Sequence, residues 1–241
     1  MERTSALQEI ADNISRFGWH RYLVVGGGPT PRFSYSIGLS ATHQNELVFA
    51  GGIQFSADAL SEIFAEAVVA LGLHKQEFQC GPHGKFTFRP VDASWASLLL
   101  LGALDFYQVK SIPALQIVPE KRFWTSDIPD MSRPWNPQTE PVWQWLVEPW
   151  PFKVLDSTTA VTNMAALKGG AITEAARWED DCWEMFSGPG HDVSESEMTV
   201  VPIATLLALD VSLQPVLDLE IGEAIRRENG ESAWHDWRSS N

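Results

Sequence analysis

Hydroxyl-bearing side chains surround one histidine between residues 31 and 52, in the stretch PRFSYSIGLSATHQNELVFAGG. The candidate ligand-pocket residues are Ser34, Tyr35, Ser36, Ser40 and His43. Hydroxyls beside a histidine can supply a nucleophile and its base, or hydrogen bonds to a phosphate. The alternative is a half-solvated strand, in which Phe33, Tyr35 and Ile37 face the core and the intervening serines face water.

The catalytic patterns that this stretch approaches are incomplete. A nucleophile elbow needs glycine two residues after its serine, and Thr42 stands at that place in GLSATH. A triad of Ser40, His43 and Asp92 would need contacts that nothing in the sequence indicates. We therefore predict no catalytic residue here, so that the pattern favours a binding protein over an enzyme.

Metal-ligand spacing is also incomplete. His43 and Glu46 lie three residues apart, a spacing that suits a metal on a helix, whereas the neighbouring residues are typical of strands. His74 and His83 flank Cys80, but a structural zinc site needs four ligands at recognisable spacing. We expect no metal site and no cofactor.

One enzymatic alternative stays open. Two strands followed by a third strand and an amphipathic helix are loosely similar to the split-barrel flavin reductases. In that interpretation the hydroxyls of Ser34, Ser36, Ser40 and Thr42 would hold a phosphate of a flavin or nucleotide. Only Arg32 would add positive charge nearby in the sequence, and phosphate sites usually have more.

A second candidate region joins acidic and aromatic residues in WEDDCWEMFSGPGHD, residues 178–192. The pattern predicts a hairpin whose turn is the acidic run and whose second strand begins near Cys182. The candidate partner-binding residues are Glu179, Asp180, Asp181, Trp183 and Glu184. Aromatic anchors beside charges are typical of protein-recognition patches. The alternative is a solvated turn with its tryptophans in the core.

Charge restricts the class of partner. The formal net charge of the 241 residues is -14, and residues 150–241 hold 6 Lys and Arg against 16 Asp and Glu. An acidic surface repels nucleic acid and anionic lipid, so we expect neither as a partner and favour a basic protein. The charged N-terminus and the presence of only two cysteines, Cys80 and Cys182, indicate a cytoplasmic protein without a disulfide scaffold.

Helical and strand patterns alternate without βαβ regularity, which predicts an α+β fold in both halves. We expect helices over 4–17 and after Ser56 and Asp92, and strands at 19–26, 32–39 and 46–52. The segment 123–151 is rich in tryptophan and proline, so we expect a docked strap rather than a flexible linker. The predicted organisation is a domain at 1–135, a connecting strap at 136–151 and a second domain at 152–241.

Two families resemble parts of the chain. Residues 10–136 resemble the bacterial family DUF4262 through DNISRFGWH, FSYSIGL, ATHQNELVFAGG, FRPVD and PALQIVPEKRFW. Residues 158–237 are similar to DUF2185, the immunity protein 33 type, through TNMAALKGGAIT, DDCWEMFSGPGHD and ATLLALDVSLQPVLDLEIGEAIRR. The second resemblance implies a protein-binding module. Together with the charge, it predicts an immunity-like or regulatory protein that binds a basic partner, such as a toxin.

Overall fold

A computed structural model describes residues 2–25 and 28–237, and these residues form two compact units. The first unit comprises the described parts of Met1–Val25, Arg32–Trp124 and Ile128–Asn136. The second comprises the described parts of Gly26–Pro31, Thr125–Asp127 and Pro137–Asn241. Each unit contains a six-stranded sheet and several helices, which confirms the predicted α+β class.

The sheet of the first unit has the strand order β1-β2-β3-β6-β5-β4. Its strands are β1 (His20–Val24), β2 (Phe33–Ile37), β3 (Glu46–Ala50), β4 (Glu77–Gln79), β5 (Lys85–Pro90) and β6 (Ala114–Pro119). Strand β3 pairs antiparallel with β2 and parallel with β6, so it lies in the middle of the sheet. Glu46, the first residue of β3, therefore begins a strand that has neighbours on both sides.

Capping side chains fix where two helices of the first unit, α3 and α4, begin. These helices are α1 (Glu2–Phe17), α2 (Ser40–His43), α3 (Ala57–Gly72), α4 (Ala93–Leu99) and α5 (Leu101–Tyr107). The side chain of Ser56 accepts a hydrogen bond from the amide of Ala59, and that of Asp92 accepts one from Ser94, as N-cap residues do. No helix within the described part of the chain is both long enough and apolar enough to cross a membrane.

The core of the first unit forms where α3 packs on the sheet. The apolar stripe of α3 buries Leu60, Ile63 and Phe64, each at most 1% exposed. Rings from β3, β5 and the loop before α3 meet this stripe, and Phe49 and Phe86 are almost completely buried. Helical spacing on α3 thus produces a single apolar face that covers the sheet.

The sheet of the second unit has the strand order β10-β7-β9-β8-β11-β12. Its strands are β7 (Thr159–Asn163), β8 (Glu174–Arg177), β9 (Trp183–Phe186), β10 (Met198–Pro202), β11 (Glu223–Arg226) and β12 (His235–Asp236). Strands β8 and β9 form the predicted hairpin, with Ala176 opposite Glu184 and Arg177 opposite Trp183. Because side chains alternate along a strand, Glu184 and Trp183 point to opposite faces of the sheet.

Two helices accompany this second sheet, α6 (Met164–Leu167) and α7 (Ile203–Leu209). Helix α7 is buried at six of its seven positions, and it contacts β7 and β10. The 3₁₀ turn Val211–Asp218 follows and buries Leu213 and Val216 completely. The apolar run from 200 to 219 is therefore the main source of the core of the second unit.

The tryptophan- and proline-rich segment 123–151 is divided between the two units. Within the first unit, the buried side chain of Gln116 hydrogen-bonds the carbonyl of Pro129 and the amide of Met131. Within the second unit, the indole of Trp143 donates to the carbonyl of Asp127 at 3.0 Å. The domain boundary within 136–151 stays a prediction.

Two local expectations for the first unit are wrong. Residues 40–43 form a short helix, which the strand-type residues around His43 argued against, because the carbonyls of Leu39 and Ser40 accept hydrogen bonds from the amides of His43 and Gln44. Strand β2 is not half-solvated, since all five of its residues are buried. Ser34 is 0% exposed and donates its hydroxyl to the carbonyl of Tyr22 on the neighbouring strand. Burial of both faces is possible because the serine hydroxyls find partners inside the protein.

Candidate functional site

The carboxylate of Glu46 organises the hydroxyl-rich stretch of the first unit. Glu46 is 0% exposed. Its oxygens accept hydrogen bonds from the Ser36 hydroxyl at 2.5 Å and the Tyr107 hydroxyl at 2.7 Å. They also accept from the amides of Ser40 at 2.9 Å and Gly38 at 3.2 Å. Four donors around one carboxylate satisfy a buried negative charge that would otherwise be costly.

Gly38 makes this arrangement sterically possible. Its φ of 118° lies in a region that side chains rarely adopt. A Cβ atom on Gly38 would stand 3.0 Å from the Cα atom of Trp19. With glycine at this position, the backbone amide donates to both the carboxylate of Glu46 and the hydroxyl of Tyr107, the latter at 2.6 Å.

Tyr107 acts as a neutral donor in this cluster. Burial raises the pKa of Tyr107, and the hydrogen bond to the Glu46 carboxylate and its negative charge raise it further. No cationic side chain among the described residues hydrogen-bonds or pairs with Glu46. The arrangement is suited to holding the β2–β3 connection in place. Its hydrogen bonds join Glu46 at the start of β3 to the end of β2, to the connection itself and to Tyr107 of α5.

Two of the candidate pocket residues of β2 are engaged in other ways. The hydroxyl of Tyr35 accepts a hydrogen bond from the amide of Gly102, and its ring stacks on Tyr22 at 5.3 Å. Burial raises the pKa of Tyr35 to about 12. Ser34 and Ser36 use their hydroxyls on protein partners, so neither hydroxyl is free to hold a phosphate.

Neither the imidazole of His43 nor the hydroxyl of Ser40 hydrogen-bonds a carboxylate among the described residues. The Nδ1 atom of His43 lies 2.7 Å from the hydroxyl of Thr42, its neighbour in the chain. Asp92 uses its carboxylate to cap α4, through the amide and hydroxyl of Ser94. The structure thus gives Asp92 a capping role rather than a place in a triad. In the part of the chain that the structure describes, no three His, Cys, Asp or Glu side chains could hold a metal ion.

Sequence reasoning missed the roles of Glu46 and Tyr107. A signal for Glu46 exists, because a carboxylate opens the strongly apolar strand ELVFA, where a charge needs partners. No local signal marks Tyr107, which lies 61 residues farther along the chain. The fold alone brings these two side chains together.

The acidic turn of the second unit lies at the surface. Glu179, Asp180 and Asp181 are all exposed and connect β8 to β9, where the amide of Trp178 donates to the carbonyl of Cys182. Asp180 is 90% exposed and lies 3.6 Å from the guanidinium of Arg177. Such exposed pairs contribute little to stability, so the turn is available for contacts with other molecules.

Trp183 lies in the core, which was one of the two alternatives that the sequence left open. Its side chain is 1% exposed, and the guanidinium of Arg177 lies 4.9 Å from the centre of its ring. Trp183 is therefore not available as a surface anchor, because its face of the sheet packs inward. The neighbouring residue Glu184 lies on the other face and is half-buried.

A cavity of about 370 Å³ occupies the face of the second sheet that carries Glu184. Its lining includes Trp178, Phe186, Met198 and Trp237, together with Glu174 and Glu184. Trp178 and Trp237 are 45% and 38% exposed. The aromatic residues of this acidic surface are thus Trp178 and Trp237, which the sequence analysis did not select. Alternation along β8 could have indicated Trp178, whereas Trp237 is joined to this face only by the pairing of β11 with β12.

Comparison with known protein families finds a match for part of the chain. Residues 13–123 match the family described as Domain of unknown function (DUF4262). The resemblance of the N-terminal half to this family is therefore confirmed, and the matched region contains Glu46, Ser36, Gly38, Ser40 and Tyr107. No curated protein and no solved structure matches the chain.

Proposed function

We propose that this chain is a binding protein that acts without catalysis, through the acidic surface of its second unit, on a basic protein partner. One observation carries the proposal. The exposed turn of Glu179, Asp180 and Asp181 is adjacent in sequence to the exposed ring of Trp178 and close to the carboxylate of Glu184. Aromatic rings supply contact area at such surfaces, while charges accelerate the encounter with an oppositely charged partner.

The distribution of charge supports a basic partner. Residues 150–241 carry a formal net charge of -10, out of -14 for the whole chain. This charge is concentrated in the unit that presents the acidic turn. Its field extends over about one Debye length, roughly 8 Å at physiological salt, and attracts basic proteins over that distance.

The biological setting that we propose is immunity-like or regulatory, in the bacterial cytoplasm, with a toxin as one suitable kind of partner. The motifs of residues 158–237, which we interpret as similar to DUF2185, support this setting; the family match itself covers residues 13–123. Both cysteines are free thiols, which agrees with a reducing compartment. Because the hydroxyls of Ser34 and Ser36 are engaged within the protein, a phosphate-binding enzyme is the weaker interpretation of the first unit.

Co-purification of partners from the native host tests the proposal. The tagged wild-type chain is compared with Asp180→Lys/Asp181→Lys, in which the charge of the turn is reversed. The matched control is Asp12→Lys/Glu66→Lys, which makes the same change in net charge at exposed positions of the first unit. We expect the wild type and the control to retain a basic protein that the turn variant loses.

Kinetics with the captured partner then tests the mechanism. Reversal of Asp180 and Asp181 should slow association much more than it accelerates dissociation, and the wild-type association rate should fall steeply as salt is added. An association rate that does not depend on salt would contradict the electrostatic part of the proposal. Equal loss of the partner in the turn variant and the control would show that only overall charge matters.

A further inference from the structure

The cavity on the second sheet has walls of a particular chemistry. We name it the tryptophan cavity and define it by Trp178, Trp237, Phe186, Met198, Glu174 and Glu184. Its volume of about 370 Å³ lies at the lower end of the range for pockets that bind small molecules or single side chains. The walls are mainly rings and a thioether, so a ligand would find apolar surface on several sides.

The backbone around Phe186 shapes one side of this cavity. A Cβ atom on Gly190 would lie 2.8 Å from the ring of Phe186, so glycine is needed for this close approach. The amide of Gly190 also donates to the carboxylate of Glu174 at 2.6 Å. These contacts hold the segment after β9 against the sheet, which gives the cavity a preformed wall.

The charges of the lining are negative. Among the residues that the structure describes, the ionisable residues that line it are Glu174, Glu184 and His191, and no lysine or arginine is part of this lining. Glu174 is already engaged by the amide of Gly190. The side chain of Glu184 makes no hydrogen bond or ion pair with any residue that the structure describes. A half-buried carboxylate among aromatic rings is stabilised by a cation, because burial weakens its hydration.

We propose that the tryptophan cavity binds an arginine side chain of the basic partner, an inference that rests on the proposed function. The face of an indole ring attracts a cation, and a guanidinium can stack flat on it while its N–H groups reach a carboxylate. Glu184 is the acceptor, and Trp178 and Trp237 are the rings. Recognition of a lysine would use the same charges without the planar stacking, so it should be weaker.

The chain contains the same contact within its own second unit. The guanidinium of Arg227 lies 4.3 Å from the ring of Trp234, and that of Arg177 lies 4.9 Å from the ring of Trp183. At the cavity itself, the guanidinium of Arg226 lies 5.9 Å from the ring of Trp237, near the outer limit for such a contact. Arg226 is opposite Glu174 in the sheet, so its positive charge offsets the negative charge of Glu174. The carboxylate of Glu184 is then the negative charge that a bound guanidinium would meet.

Binding of short capped peptides to the full chain tests this inference. The probe is a glycine-arginine-glycine peptide, and its two comparison peptides carry lysine or the neutral isostere citrulline in place of arginine. Chemical shifts of the indole N–H groups, assigned by substitution, report on Trp178 and Trp237. We expect saturable shifts with arginine at millimolar concentrations, weaker binding of lysine, and no saturation with citrulline.

Variants locate the site. Glu184→Gln should weaken binding of the arginine peptide by about tenfold, equivalent to roughly 1.4 kcal/mol. The control Glu231→Gln removes a charge from an exposed position of the second unit outside the cavity lining and the acidic turn, and should change the affinity less than about twofold. Trp178→Ala should abolish saturation, and Trp178→Phe should restore part of it because a ring is retained. Preserved chemical-shift dispersion shows that each variant is folded.

Failure of this inference can be distinguished from failure of the proposed function. The same affinity for arginine and citrulline peptides, or in Glu184→Gln and the wild type, would overturn arginine binding in the cavity. A partner that still depends on Asp180 and Asp181 would then leave the proposed function intact. Conversely, peptide binding that needs Glu184, without any basic protein captured from the host, would support the cavity and contradict the proposed function.

Discussion

Glu46 explains why hydroxyl groups are dense around one histidine in the first unit. The Ser36 and Tyr107 hydroxyls and two backbone amides surround a carboxylate that has no access to water. The amide of Leu47 donates to Ser36 in turn, at 2.8 Å, which orients that hydroxyl toward Glu46. Ser36 and Tyr107 therefore serve the carboxylate of Glu46, and His43 lies outside this network, with its Nδ1 atom 2.7 Å from the hydroxyl of Thr42.

Removal of this carboxylate should be costly. We expect Glu46→Ala to lower the free energy of unfolding by about 3 kcal/mol or more, because buried donors would be left without an acceptor. Glu46→Gln should cost less, about 1–2 kcal/mol, since one acceptor oxygen remains. Urea unfolding of both variants measures the difference. Glu66→Ala, at an exposed position of α3, is the control and should change stability by less than about 0.5 kcal/mol.

The buried hydroxyl of Tyr35 predicts a loss of stability in alkali. Burial raises the pKa of Tyr35 from 10.0 to about 12, so the unfolded chain releases this proton first as the pH rises. The contribution is complete below pH 10 and is lost as the pH rises through 12, and it amounts to at most about 3 kcal/mol. Tyr35→Phe should make stability less dependent on pH in that window. An unchanged pH dependence in this variant would contradict the prediction.

At the scale of elements, the two tryptophans of the β8–β9 hairpin have opposite roles. Trp183 is buried beneath Arg177, whereas Trp178 is 45% exposed at the end of β8. Trp183→Ala should therefore destabilise the protein by about 3–5 kcal/mol, the usual cost of a large cavity in a core. Trp178→Ala should cost less than about 1 kcal/mol. Thermal and denaturant unfolding compare the two, and equal losses would contradict the register of β9.

Local patterns predicted helices α3 and α4 and the β8–β9 hairpin, but they did not predict the short helix α2 or the surroundings of the elements. Ser56 and Asp92 begin their helices as predicted, because a cap is a contact within a few residues. The exposure of β2 was wrong, because its serines are satisfied by residues that only the sheet brings near, such as Glu46. The position of Trp183 was left open for the same reason. Which face of a hairpin is buried depends on the tertiary packing around it, which the sequence of the hairpin alone does not specify.

At the scale of the molecule, the segment 123–151 contributes residues to both compact units. Thr125, Asp127, Ile128 and Met131 are each less than 5% exposed. The segment 153–157 is different, since most of its residues are exposed and Leu155 is 73% exposed. A chain segment must leave its contacts before a protease can cut it, so burial predicts where cleavage begins.

Limited digestion with a protease of broad specificity should therefore cut first within 153–157 and leave 125–131 intact. The physical reason is that cleavage at 125–131 would require the release of buried backbone, including the carbonyls of Asp127 and Pro129 that accept bonds from Trp143 and Gln116. Mass spectrometry of early fragments locates the cuts. Gln116→Ala is a matched test, because it removes the bonds to Pro129 and Met131 and should expose 128–131 to cleavage. Rapid cleavage throughout 136–151 in the wild type would instead show that the strap is a free linker and that its tryptophans are not docked.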